Sequence, residues 1–427
     1  MKLLVVNLHS SRNAGDDLLT TVTVQQLQQS FNNAEIILSM NDPSSYCGPE
    51  TTVGSFMTWL RKQDDALSMR HLLVFLWILF ETMVVALLYR LFGMSALKLA
   101  HPTHRTLLKH YFSTDLVVSA AGNFLYTSGR VGLPFMIAIY TMFFAFLAKK
   151  PLYTMPHTIG PLNRKWEQFL VKWIAKRTEI TFVRDMISFD ELKRLGVPPT
   201  RYRAVPDLAF AYPHCDPELG RKLLSAHGIS ESETAPLLGI TMMNWGEQTP
   251  SFKNQSVYET AVVQAIKMFV EQYKGKVILF SQVRGPTYEE DDRVSARRVF
   301  KQVQDFKNDV AIIEKDVTTD ELKSAYSFMD LFIGTRLHSN IFAISEGVPA
   351  LMIEYRYKTR GVMEFLSLES WVIDIHEVQH NDISDKLELL WVNKEHVQKD
   401  IKTVMPKIIR SASQVGKEIA KNYEQRK

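Results

Sequence analysis

Phe332-Ile333-Gly334-Thr335-Arg336-Leu337-His338-Ser339 is the stretch on which the fold turns. The apolar run Leu331 to Ile333 predicts a short buried strand. It breaks at Gly334, and Ile341 to Gly347 predicts a helix closed by its glycine. Arg336 and His338 therefore stand on a strand-to-helix turn. In an open α/β sheet such turns lie at the carboxyl ends of the strands, where ligands bind. A guanidinium there can grip a phosphate or carboxylate through two parallel hydrogen bonds. An imidazole two positions on can give or take a proton near neutral pH. The start of the helix adds backbone N–H groups that favour an anion. The alternative is structural: Arg336 pairs with a neighbouring carboxylate, and His338 is a satisfied core histidine.

Working outward, strand and helix patterns alternate along most of the chain. Towards the C-terminus, Leu237 to Met242, Lys276 to Phe280, Val310 to Ile313 and Pro349 to Tyr355 read as strands. Loops after them carry Asn244, Trp245, Gln282 and Arg284. Towards the N-terminus, Leu3 to Val6, Glu35 to Ser39, Leu116 to Ser119, Leu152 to Met155 and Ile180 to Val183 do the same. Their loops carry Asp16, Asn123, His157 and Arg184. Gly15-Asp16 either caps the first helix or offers a carboxylate to a sugar hydroxyl. That first loop lacks G-x-G-x-x-G, so it is no dinucleotide fingerprint. Four acids, Glu289 to Asp292, precede a helical pattern, either as a solvated helix start or as a metal site, and we expect the former.

A chain of 427 residues exceeds one ordinary core. The expected division is an N-terminal domain over 1–213, a C-terminal domain over 237–385 and a helical tail over 386–427. Both domains read as Rossmann-like α/β units facing a cleft, the layout of the glycosyltransferase B fold. The 50 basic residues nearly balance the 46 acidic ones, which gives no footing for a nucleic-acid partner. Cys47 and Cys215 form neither a disulfide framework nor a metal spacing, and a reducing, cytoplasmic setting fits them.

Two apolar runs stand apart, residues 72–89 and 131–148. Each approaches the roughly 20 residues that span a bilayer. Between them lies the strand Leu116 to Ser119, which should pair with Leu3 to Val6. Two spanning runs would put those strands on opposite sides of a membrane. We therefore expect core helices, or helices whose outer face touches the inner surface of the cell membrane.

The blocks resemble, in order, the polysaccharide pyruvyl transferases. They are Asn13-Ala14-Gly15-Asp16-Asp17, Ala121-Gly122-Asn123, Phe182-Val183-Arg184-Asp185 with Ser188, Val205-Pro206-Asp207, Gly334 to Ser339, and Gly347-Val348-Pro349 with Tyr355 and Lys358. The two apolar runs are not part of that pattern. The resemblance implies transfer of a pyruvyl group from phosphoenolpyruvate to a sugar, usually as a cyclic ketal. We expect phosphoenolpyruvate as co-substrate with no resident cofactor, and we assign no metal ligands. By the same resemblance Arg336 and the Leu337 backbone bind phosphoenolpyruvate, and His338 is the general acid. A second donor arginine is Arg184 or Arg284. Asp16, Asn123 and His157, by loop position, would contact the acceptor, a glycan or lipid-linked oligosaccharide. The rival readings are a nucleotide-sugar glycosyltransferase of the B fold, with Glu346 holding a ribose, a binding protein built on an inactive transferase, and a sugar-nucleotide epimerase.

Overall fold

Leu3, Leu4, Val5 and Val6 have no exposed surface, as a strand covered on both sheet faces requires. A computed structural model of the protein describes residues 1–60, 69–126, 132–230, 234–249, 252–285, 288–355 and 358–426. Arg356 lies outside them, as do Val131 and the side chain of Lys358. The chain divides into two units. The first comprises Met1–Ser11, Leu19–Leu208 and Ser411–Lys427, the second Arg12–Leu18 and Ala209–Arg410.

Among the described residues, eight strands form the sheet of the first unit. They are β1 (Lys2–Leu8), β2 (Glu35–Met40), β3 (Thr51–Gly54), β4 (Leu116–Ser119), β5 (Gly122–Leu125), β6 (Leu152–Ile159), β7 (Thr181–Val183) and β8 (Tyr202–Ala204). The order is β3-β2-β1-β4-β6-β7-β8, with β5 beside β6, and all pairs are parallel. The sheet reverses direction of growth between β1 and β4, a topological switch point.

The second unit carries β9 (Leu237–Thr241), β10 (Lys276–Phe280), β11 (Val310–Ile312), β12 (Leu331–Gly334), β13 (Ala350–Glu354) and β14 (Val372–Asp374). Their order is β11-β10-β9-β12-β13-β14, again all parallel. That is the Rossmann order, with its switch point between β9 and β12. Two α/β units of this kind make the fold one of the glycosyltransferase B type.

The apolar runs fare differently. The helix Leu133–Leu147 buries Phe135, Ile137, Tyr140, Phe144 and most of its other side chains, as a core helix should. The helix Met69–Phe92 buries one stripe, Phe75, Ile78, Val85 and Ala86, and leaves its other side exposed. The pairing Leu3↔Leu116 joins β1 to β4, so the chain between them returns to the same sheet.

Three features differ from the sequence expectation. The first helix begins at Ala14, so Gly15 and Asp16 lie inside it and Asn13 is its cap, accepting from the Gly15 amide at 2.9 Å. The stretch 214–236, left between the two expected domains, contains the helix Pro217–Ser225, which packs on the helix Thr319–Tyr326 inside the second unit. The helices after residue 385 are shared out: Asp382–Val392 lies against Gln255–Tyr273 in the second unit, and Val415–Glu424 belongs to the first.

Candidate active site

The second unit gathers most of the chemistry. β12 ends at Gly334, and the helix Leu337–Ser345 starts three residues on, with Arg336 at its N-cap position. The turn is pinned from inside. Asn340 Nδ2 donates to the carbonyls of Gly334 (2.9 Å) and Arg336 (3.1 Å). Ser339 Oγ donates to the Arg336 carbonyl at 2.7 Å, and Tyr258 and Thr335 join hydroxyls at 2.8 Å. Gly334 is required for space: a Cβ there would lie 2.1 Å from Asn340 Oδ1.

Arg336 is 13% exposed and forks onto Asp292, with Nε–Oδ1 at 3.1 Å and Nη2–Oδ1 at 2.6 Å. Burial works against its charge, but Asp292 and the Tyr355 phenol outweigh it and hold the guanidinium firmly cationic. The pairing with a carboxylate, raised above as the structural alternative, is therefore present. It engages Nε and Nη2 of a group with five N–H donors.

Asp292 reverses the expectation of a solvated acidic run. Glu289 and Glu290 are exposed and Asp291 caps the helix Asp292–Gln302, but Asp292 has no exposed surface. Besides Arg336 it accepts from the Val283 amide at 2.9 Å, which fixes the loop carrying Arg284. Arg284 is itself 19% exposed and pairs at 2.9 Å with Asp316, an exposed acid. Asp292 thus braces two arginine-bearing segments at the ends of β10 and β12.

His338 packs edge-on against the first turn of the first helix. A Cβ on Gly15 would stand 2.1 Å from His338 Nδ1. Segment Arg12–Leu18 groups with the second unit, and Asn13 bridges Val283 there. Asp16, expected on the N-terminal domain, lies one residue from the contact with His338 and accepts from Asn13 Nδ2 at 3.1 Å. Asp17 accepts from Thr319 at 3.1 Å.

The same ends of β9 and β10 hold buried polar atoms with no hydrogen-bond partner among the described residues. They are Asn244 Nδ2, Ser281 Oγ and Gln282 Nε2. Protein interiors rarely leave such groups unpaired, and a polar ligand is one way to satisfy them.

The remaining candidates lie in the first unit. Arg184 is 2% exposed, with Nη1 2.6 Å from Asp207 and Nε 2.9 Å from Thr158. Its guanidinium is part of an internal network. Asn123 is half-buried in β5. His157 is fully buried against Phe124, and neither ring nitrogen finds a partner among the described residues.

Burial, reinforced by the charge of Arg184, pushes the His157 imidazole down to about 3 from 6.5. The ring is neutral at physiological pH and is no proton donor there. In the unfolded chain it takes a proton below pH 6.5, where the folded protein refuses one. Stability is therefore lost as pH falls from 6.5 towards 3, by up to about 1.4 kcal/mol per pH unit. His157→Leu should flatten this acid limb in denaturant midpoints measured against pH. An acid limb as steep as wild type would remove His157 as its source.

A polysaccharide pyruvyl transferase family model matches residues 13–357, from the capping Asn13 to just past β13. The chain belongs to that family. It is a polysaccharide pyruvyl transferase. A curated relative, the amylovoran biosynthesis protein AmsJ of Erwinia amylovora, is 26% identical over 301 residues, 69% of each chain. Among solved structures it resembles the UDP-GlcNAc 2-epimerase of Methanocaldococcus jannaschii, with TM-score 0.57 and 13% identity over the whole of both chains. It also resembles the Anabaena protein HepE in complex with UDP-glucose, with TM-score 0.59, 11% identity and the same full coverage. Identities this low speak for the fold alone.

Sequence reasoning missed Asp292, which looked like one acid among four. It named Gly15 without its role, which is to leave room for His338. A buried partner for a cationic turn residue leaves no periodic mark on the chain.

Proposed function

We propose that this polysaccharide pyruvyl transferase takes its pyruvyl group from phosphoenolpyruvate and delivers it to a sugar as a ketal. The observation that carries this reading is the β12 turn. It combines a fixed guanidinium at a helix N-terminus, the Leu337 amide, and an imidazole packed against Gly15, beside unpaired polar atoms. Phosphoenolpyruvate presents a phosphate and a carboxylate on an enol carbon. Forked cationic donors suit both anions.

His338 gives a proton to the methylene carbon, which becomes a methyl group. The neighbouring carbon turns electrophilic and a sugar hydroxyl adds to it. The bond from that carbon to the phosphate oxygen breaks, and a second hydroxyl closes the ketal. One hydroxyl proton replaces that given by His338 and the other leaves with phosphate, so the two substrates balance with no resident cofactor.

Arg284 fits the part of second donor arginine on accessibility, since it shares a unit with Arg336 and its ion pair among the described residues is with an exposed acid. Arg184 would have to serve from its internal network with Asp207. Asp16, beside His338, and Asn123 are the acceptor contacts. His157, neutral and enclosed, packs on Phe124, the neighbour of Asn123 in β5. The acceptor is a glycan or its lipid-linked precursor, handled on the cytoplasmic side of the cell membrane.

Nucleotide-sugar transfer is the competing reading, with Glu346 on the ribose. Glu346 is engaged, with His214 at 2.9 Å and Lys323 at 3.2 Å. Calorimetric titration decides between them. Phosphoenolpyruvate should bind, and Arg336→Ala should weaken it by about 10- to 100-fold, as expected for loss of a charge-assisted pair worth ~1.5–3 kcal/mol. Binding of a nucleotide sugar, with none of phosphoenolpyruvate, would move the donor to that class.

A further inference from the structure

Among the described residues the helix Met69–Phe92 is fastened to its unit along one side. Thr82 and Tyr140 join hydroxyls at 2.5 Å, and Phe75 meets the Tyr140 ring edge-on. The opposite side shows Leu73 (63%), Trp77 (62%), Phe80 (63%), Leu87 (52%) and Leu91 (76%) to solvent. Steps of four, three, seven and four residues put these on one face. At 1.5 Å per residue the stripe runs about 27 Å. A contiguous apolar surface of this size marks an interaction site.

Charge selects the occupant. Between residues 72 and 99 the sole acid is Glu81. Its carboxylate turns inward to the His101 amide at 2.6 Å and the His104 ring at 3.1 Å, so it leaves the stripe. Arg90 and Lys98, the two cations of that stretch, are exposed at its far end. Over residues 82–166 the sequence has nine Lys and Arg against one acid, Asp115, although the chain as a whole is nearly balanced.

We propose that this face docks the enzyme onto an anionic phospholipid surface, with the helix lying in the plane of the interface. Trp77 and the long aliphatic side chains would enter the headgroup boundary, and Arg90 and Lys98 would meet lipid phosphates. A second copy of the chain is the poorer occupant, because a two-fold contact would set this cationic region against itself. Spanning is excluded by the pairing of β1 with β4 on either side of the helix. The inference is independent of the donor assignment.

Flotation tests it with the full chain and vesicles of phosphatidylcholine and phosphatidylglycerol in equal parts. The protein should float with these, far less with phosphatidylcholine alone, and less as salt rises. Trp77→Ser with Phe80→Ser and Leu87→Ser should cut the bound fraction about ten-fold. Thermal melting and phosphoenolpyruvate titration should match wild type, which separates lost docking from lost folding and from failure of the donor reading. Arg90→Gln with Lys98→Gln should remove part of the salt dependence. Wild-type protein that ignores anionic vesicles would overturn the proposal, as would equal flotation of the triple variant. So would a dimer in light scattering that the triple variant dissociates, or wild-type protein that resists alkaline extraction from the vesicles.

Discussion

His338→Ala should lose turnover by about 10²- to 10⁴-fold while phosphoenolpyruvate affinity stays close to that of wild type. In the proposed donor mode the anionic groups would meet Arg336 and the Leu337 amide, which the substitution leaves in place. What would disappear under that proposal is the proton for the methylene carbon, and with it the electrophile. Gly15→Ala should reproduce the loss without touching the acid itself. The new methyl would occupy space 2.1 Å from His338 Nδ1, so the ring must turn away. A first-turn glycine replaced by alanine gains helix propensity of up to about 1 kcal/mol. A fall in kcat with donor affinity retained therefore reads ring position, not helix loss. Initial rates of phosphate release, with calorimetry alongside, check both variants. Full turnover in His338→Ala would dismiss it as the acid, and full turnover in Gly15→Ala would dismiss the packing argument.

Arg184→Ala should cost about 3–5 kcal/mol of stability, because Asp207, with no exposed surface, would lose the cation whose Nη1 stands 2.6 Å away. Denaturant midpoints measure this directly. Arg184→Met combined with Asp207→Leu should recover much of the loss, since removing both charges also removes the desolvation penalty. Arg284→Ala should leave the midpoint within about 0.5 kcal/mol of wild type, as its partner Asp316 is exposed. A drop in phosphoenolpyruvate affinity in Arg284→Ala can then be read as lost donor contact. A near-neutral midpoint in Arg184→Ala would show that the pair with Asp207 carries little of the fold.

The alternation of strands and helices was legible because parallel strands covered on both faces are written as unbroken apolar runs. Leu331 to Ile333 and Leu3 to Val6 are examples. The turn bearing Arg336 and His338 was legible because Gly334 punctuates a strand and a helical pattern follows. Other features are decided by contacts distant in sequence. Nothing in Arg12 to Leu18 announces that it packs with residues near 283 and 338. Nothing separates Asp292 from Glu289 and Glu290 until Val283 and Arg336 close around it. The apolar run at 72–89 could be read for composition but not for its bare side, because burial there depends on which neighbours Thr82 and Phe75 find.

The helix Val415–Glu424 has a practical bearing on dissecting this enzyme. The Gly416 amide donates to Gln26 Oε1 at 3.0 Å, and Gln26 Nε2 donates to the Ala412 carbonyl at 2.9 Å. Tyr153 and Asn422 pair at 2.9 Å. The chain passes from one unit to the other at 11/12, 18/19, 208/209 and 410/411. Neither lobe is a contiguous cassette. A gene cut near codon 209 would yield a fragment whose sheet lacks its closing helix, with Gln26 and Tyr153 stripped of these partners. Grafting a new second unit from a relative would require a transplant that respects all four seams, with the helix Val415–Glu424 left to the recipient.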